Sequence, residues 1–231
     1  MPDALFRAAH SEGLGVELEL VCVRGGLRSW VLHQRDKRLF LNLSASALVK
    51  AVERTSVPGF LKELQALDVS PAALVIEITE HERIADMPRL IDWAQALRRQ
   101  GLRFALDDFG DGRSSLRLWA ELRPEIVKID RYFVHGLHDE AYKAQTLKGL
   151  SRFAETFGTV LLAEGIETGA ELKVVRDLGI ELGQGYFLGR PSPIPAEAVL
   201  PEAAAVIASS VIAVLPEMTR AGNAAFTVER L

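Results

Sequence analysis

Hydrophobic positions along the chain fall into two alternating kinds of segment. Short aliphatic runs, several rich in β-branched residues, occur at Arg38–Asn42, Leu74–Thr79, Arg103–Asp107, Ile126–Ile129, Val160–Ala163 and around Gly183–Phe187. Between them apolar residues recur at helical spacing, as in Met87–Gln100, Ala141–Phe157 and Gly169–Leu178. Strands alternating with helices predict βαβ units and a mostly parallel sheet. The runs are too apolar to be half-solvated, so both faces of the sheet are expected to be covered. Gly101, Gly158 and Gly179 each fall between a helical stretch and a strand, where a left-handed C-cap belongs. Thr168 with Glu171 three residues on predicts a capping box. A closed α/β barrel needs eight strands. Six are legible, so either some strands are cryptic or part of the domain lies outside this chain. The pattern changes after Pro191 to an Ala- and Val-rich helix and a polar tail. The expected organisation is one α/β domain over residues 1–194 and a helical extension over 195–231.

The polar residues that follow each apolar run carry the chemistry. The runs end at Asn42, at Glu77, at Asp107 with Asp108, at Lys128, at Glu164 and at Gln184. In a parallel barrel the C-terminal strand ends converge on the face that holds the active site. These side chains, far apart in sequence, are therefore expected to meet. Four carboxylates and an amide oxygen form a hard donor set that suits Mg²⁺ or Mn²⁺ and repels itself without metal. Two ions about 3.5–4 Å apart would clamp the attacking and leaving oxygens of a phosphodiester. A single strand-end carboxylate is commonly a helix N-cap or a surface group, and that reading fits Glu80, Asp130 and Glu167 one at a time. Six independent accidents at one structural level do not account for the whole set.

Composition narrows the function classes. The 231 residues are 48% hydrophobic and 25% charged, with a formal net charge of −4. This is the profile of a soluble globular protein without the clustered basic charge that DNA binding needs. The longest apolar run, Ala203–Leu215, is too short to span a bilayer and is expected to form a packing helix, so no membrane insertion is expected. The charged N-terminus has no apolar core of a signal peptide. With one cysteine, Cys22, expected in the core, a reducing cytoplasm is the natural setting. The five histidines show no ligand spacing and read as surface residues, and Trp30, Trp93 and Trp119 read as helix-packing residues.

The segments FLNLSAS, LVIEITE, FALDDFGDGRSSL, EIVKIDRYFV, LLAEGIET and GQGYFLGRPSP occur in the order seen in the EAL-domain cyclic di-GMP phosphodiesterases. The likeness covers roughly Leu5 to Pro193. The resemblance implies a TIM-like (β/α)8 barrel of EAL type that uses Mg²⁺ or Mn²⁺, in a two-metal site, to linearise cyclic di-GMP to pGpG. By motif, Asn42, Glu77, Asp107 and Asp108 resemble metal ligands, and Asp108 is also counted with the catalytic set. Glu164 resembles the carboxylate that works with the attacking water, and Lys128 the lysine that positions it. Gln184, Glu80, Glu167 and Asp130 are the expected substrate-side or supporting residues, Glu80 anchoring the loop after the Asp-Asp-Phe-Gly strand. The loop Phe109–Leu116 resembles one that links metal binding to dimerisation, so a homodimer is expected.

Two departures from the family pattern stand out. The family's opening strand, with its Glu-Ala-Leu tripeptide, precedes the helix that begins near Pro2. The resemblance therefore implies a barrel lacking its first strand, together with a glutamate ligand and a nearby arginine. The apolar segment after Pro195 is a candidate cover for the two edges this leaves. In addition, Asp111 and Arg113 stand where the family commonly has a threonine and an aromatic residue. Two functions follow. One is a metal-dependent phosphodiesterase, and the other is a degenerate EAL domain that receives cyclic di-GMP or a protein partner without turnover. A native chain beginning further upstream would restore the complete ligand set.

Overall fold

Two helices, α1 (Pro2–Ser11) and α2 (Gly15–His33), precede the first strand. In this computed structural model residues 2–33, 37–78, 84, 86–111, 116–192, 196 and 198–209 are described. The chain divides into two compact units, Met1–Asp108 with Gly112–Glu125, and Phe109–Asp111 with Ile126–Leu231.

In the first unit the chain continues through β1 (Leu39–Asn42), α3 (Ala45–Ala66), a short 3-10 turn at Pro71–Ala73, β2 (Leu74–Ile78), α4 (Met87–Arg98), β3 (Arg103–Phe109) and α5 (Leu116–Leu122). β1 and β2 pair in parallel, Leu39 opposite Leu74 and Asn42 opposite Glu77. β2 and β3 pair in parallel from Val75 opposite Arg103 to Ile78 opposite Leu106. All five residues of β2 are buried, which is why its sequence shows no in–out alternation. Leu90, Ala94 and Leu97 of α4 are buried at helical spacing, as are Leu118, Trp119 and Leu122 of α5.

α3 is two helices joined by a kink. Ser44 caps the first, its side chain accepting the Ala47 N–H. Ser56 then adopts φ 61°, ψ 166°, two residues before Pro58. Proline cannot donate the N–H that a continuous helix needs. The Ser56 hydroxyl instead accepts the Gly59 N–H and opens the second piece. α2 is clipped to α3 by Glu17, which accepts from Arg54 at 2.7 Å and Lys50 at 3.0 Å. The Arg54 bond, with help from Lys50, lowers the Glu17 carboxyl to about 2.

The second unit holds β4 (Ile126–Ile129), α6 (Arg131–Val134), α7 (Ala141–Phe157), β5 (Val160–Ala163), α8 (Gly169–Asp177), β6 (Leu182–Gly183) and α9 (Pro201–Ala208). β4, β5 and β6 run parallel in that order. The three glycines expected to end helices have φ of 95°, 66° and 75° at Gly101, Gly158 and Gly179. The Thr168–Glu171 capping box is present.

The structure differs from the sequence expectations in four places. Cys22 is exposed on α2, where Leu27 and Trp30 take the buried face instead. The sixth strand is Leu182–Gly183, and Gly185–Leu188 turns, with the Phe187 N–H on the Ile166 carbonyl and the Leu188 N–H on the Gly185 carbonyl. The third strand runs on to Phe109. The C-terminal helix ends at Ala208, its carbonyl end met by Arg176, which donates to the Ser209 carbonyl and hydroxyl at 2.7 Å. α9 packs on α8, and residues 210–231 lie outside the described residues. So do Glu80, His81 and Arg113, and residues 112–115 of the loop expected to couple metal and dimer. No helix among the described residues is long and apolar enough to cross a membrane.

Candidate active site

In the first unit, β1, β2 and β3 deliver Asn42, Glu77 and Asp107 at their C-terminal ends. Asn42 is the register partner of Glu77, and Glu77 of Ala105. Register partners in a parallel pair share a sheet face, and residues two apart on a strand share one as well. Asn42, Glu77 and Asp107 therefore project from the same face of this sheet. Glu77 is fully buried and Asp107 is 7% exposed. Asn42 is exposed and lines a cleft of about 340 Å³ with Phe6, His10, Glu19 and Cys22.

Asp108 has φ 51°, a left-handed conformation inside a strand. Asp tolerates it better than most residues, but it costs free energy and breaks the in–out alternation. Consecutive aspartates in a regular strand would face opposite sides. The left-handed step at Asp108 removes that constraint on the pair.

In the second unit, β4 and β5 deliver Lys128 and Glu164. Lys128 is the register partner of Leu162, two residues before Glu164, so both side chains leave the same face. They meet in an ion pair of 2.8 Å, with the two side chains 4% and 15% exposed. Gln184 continues the row: its N–H donates to the Ala163 carbonyl at 2.8 Å, and its carbonyl accepts the Ile166 N–H at 3.0 Å. The two glycines of these loops are dictated by close approach. A Cβ on Gly165 would sit 2.6 Å from the Arg131 Cβ, and one on Gly185 would sit 2.2 Å from the Ile166 carbonyl oxygen.

Six polar or charged residues are buried among the described residues, and three of them are the strand-end Glu77, Asp107 and Lys128. Burying charge is costly unless it is compensated. The concentration of that cost at strand ends is what a metal or substrate site would produce. The donor chemistry fits a hard divalent cation: carboxylate oxygens from Glu77, Asp107 and Asp108 and the amide oxygen of Asn42.

Two expected supporting residues have local duties. Asp130 caps α6, its carboxylate accepting the Tyr132 N–H at 2.9 Å. Glu167 is exposed, and its N–H donates to Glu171.

Two further residues hold loops of these units through tertiary bonds that spacing along the chain does not show. Glu19 of α2 accepts the Ser44 N–H at 2.8 Å and the Ser44 hydroxyl at 3.1 Å, fixing the turn that leaves Asn42. Glu171 is 1% exposed and accepts three backbone N–H groups, from Gly136, Glu167 and Thr168, each at 2.9 Å. Burial alone would raise its carboxyl, but these bonds outweigh it and hold the group below its ordinary value.

A depressed carboxyl stabilises the fold above its unfolded value near 4.5, and that contribution fades as pH falls through the lower folded value. Thermal unfolding from pH 7 to pH 3 should therefore show the wild type ahead of Glu171→Gln at neutral pH. The gap should narrow below about pH 4.5. A gap independent of pH would contradict the carboxylate's role.

The chain matches the EAL domain family model over residues 1–191 and belongs to that family. It is 26% identical over 196 residues to a protein of Escherichia coli K12 named probable cyclic di-GMP phosphodiesterase PdeA, covering 84% of this chain and 26% of that protein. It is 32% identical over 196 residues to cyclic di-GMP phosphodiesterase PdeB of Shewanella oneidensis, covering 84% of this chain and 22% of that one. The chain thus spans about a quarter of the length of these relatives.

Among solved structures it is similar to the PaMucR phosphodiesterase in complex with c-di-GMP, with a TM-score of 0.71, 28% identity, and 85% of this chain and 79% of that chain covered. It is also similar to Klebsiella pneumoniae BlrP1 in complex with manganese and cyclic di-GMP, with a TM-score of 0.72, 29% identity, and 82% and 48% covered. The α/β class and EAL type expected from the sequence hold.

Proposed function

We propose that this chain is a metal-dependent phosphodiesterase that opens cyclic di-GMP to pGpG. The observation that carries the reading is the buried Lys128–Glu164 ion pair at the C-terminal ends of β4 and β5. It is supported by the buried Glu77 and Asp107 at the corresponding ends of β2 and β3. Related proteins are named for this activity, and neighbouring structures hold cyclic di-GMP with manganese or calcium.

Asn42, Glu77, Asp107 and Asp108 would hold Mg²⁺ or Mn²⁺. When bound, the cation supplies Lewis-acid polarisation of the phosphoryl oxygen and acidifies water. Glu164 accepts a proton from the attacking water. Lys128 fixes the Glu164 carboxylate and offsets negative charge gathering on the phosphate. Gln184, anchored through its backbone on both sides, presents an amide that orients water or substrate.

The second reading, a receptor that binds without turnover, is favoured by Asp111, an exposed carboxylate where the family commonly has a threonine. Incubating the purified chain with cyclic di-GMP and Mn²⁺ separates the two. Formation of pGpG supports the enzyme, saturable binding without product selects the receptor, and neither binding nor product overturns both.

A further inference from the structure

We infer that Glu171 is the positioning residue of this site, its buried carboxylate tying the segment after β4 to the segment after β5 so that Lys128 and Glu164 keep their paired geometry. The inference rests on the phosphodiesterase reading proposed above.

The segment from Glu164 to Thr168 is held at three places. The Glu164 N–H donates to the Ile129 carbonyl at 3.1 Å, and the Ile166 N–H to the Gln184 carbonyl at 3.0 Å. Its far end is held by Glu171 Oε2, which accepts the Glu167 and Thr168 N–H groups. A capping box accounts for the second of these bonds. It does not account for the third bond of this carboxylate. Glu171 Oε1 accepts the N–H of Gly136, 35 residues upstream and just past α6.

α6 begins three residues after Lys128, with Asp130 at its cap. One side chain therefore closes the two loops that leave the two members of the ion pair. Bonds to an ionised acceptor are roughly twice as strong as neutral ones, which suits a clamp of this kind. In the Glu171→Gln variant the amide NH₂ group faces at least one of these backbone donors, so the clamp loses a bond at one loop or the other.

The test uses the full chain and three proteins: wild type, Glu171→Gln and Thr168→Val. The valine variant loses the hydroxyl that accepts the Glu171 N–H at 3.2 Å but keeps all three bonds to the carboxylate. It therefore reports a weakened helix cap alone. Mn²⁺ affinity is read by calorimetry, and pGpG formation by steady-state kinetics.

Glu171→Gln is expected to weaken Mn²⁺ binding about tenfold and to lower kcat about tenfold or more. KM should change by less than about threefold, because the pair acts on proton transfer rather than on substrate capture. Thr168→Val should keep Mn²⁺ affinity and kcat within about twofold of wild type, though its Tm also falls.

Wild-type values in Glu171→Gln, or equal losses in Thr168→Val, would overturn the inference. If the wild type binds Mn²⁺ but yields no pGpG, the phosphodiesterase reading falls and the metal affinities alone decide on Glu171. If the wild type binds no Mn²⁺, both fall.

Discussion

Asp107→Ala is expected to reduce Mn²⁺-dependent turnover of cyclic di-GMP by roughly a thousandfold, the scale lost when a principal electrostatic element of a site is removed. The same substitution should not unfold the protein. Asp107 is 7% exposed, and burying an ionised carboxylate costs free energy that its removal returns. Its removal is expected to leave the Tm in chelator unchanged or to raise it. Added Mn²⁺ should reverse the order. A ligand at a hundred times its dissociation constant stabilises the folded state by about 2.7 kcal/mol. Only the wild type should gain that shift. Differential scanning fluorimetry with and without Mn²⁺, run beside the activity assay, measures both effects. A variant that lost activity and also lost stability in chelator would point to a structural role for Asp107.

Lys128→Met is expected to destabilise the metal-free protein by about 3 kcal/mol, because it strands a charge. Breaking a buried ion pair from one side costs about 3–5 kcal/mol, more than the pair itself contributes. The Lys128 and Glu164 side chains are 4% and 15% exposed, so water compensates little. The lower end of the range is expected because Glu164 keeps some exposure. For a chain of this length such a loss lowers Tm by roughly 6–12 °C. Glu164→Gln in the Lys128→Met background should recover part of the loss, since the stranded group is then neutral. Denaturant unfolding of the two single variants, the double variant and the wild type gives the coupling. Additive losses would show that the pair is not energetically linked.

Much of this site was legible because its residues interrupt apolar runs. Lys128 and Glu164 stand out at or just past runs of Ile, Val, Leu and Ala, and β4 and β5 begin and end where the pattern says. β3 was harder. Nothing in Asp107-Asp108-Phe109 announces a left-handed residue, and the strand continues through it because the Phe109 carbonyl accepts the Asp130 N–H. Tyr186-Phe187-Leu188 has strand-like composition, yet Ile166 captures the Phe187 N–H and turns the chain. Cys22 lies on a helix with a weak apolar stripe, so its residue type misled where the face decided. The kink in α3 went unread in the sequence: Pro58 interrupts the helix, and Ser56 takes the positive φ that joins its two pieces. Glu171 was legible as half of a capping box. Its bond to Gly136 is tertiary, and spacing along the chain carries no trace of it. The same holds for Glu19, whose partner Ser44 lies 25 residues away.

The central claim is that carboxylates at the C-terminal ends of neighbouring parallel strands bind a divalent cation. Crystals grown with Mn²⁺ and measured for anomalous scattering test it most directly. The account predicts a peak bonded to carboxylate oxygens of Glu77, Asp107 and Asp108 at about 2.1 Å. Mn²⁺ bound elsewhere, or these three carboxylates turned to different surfaces with no peak near them, would contradict it.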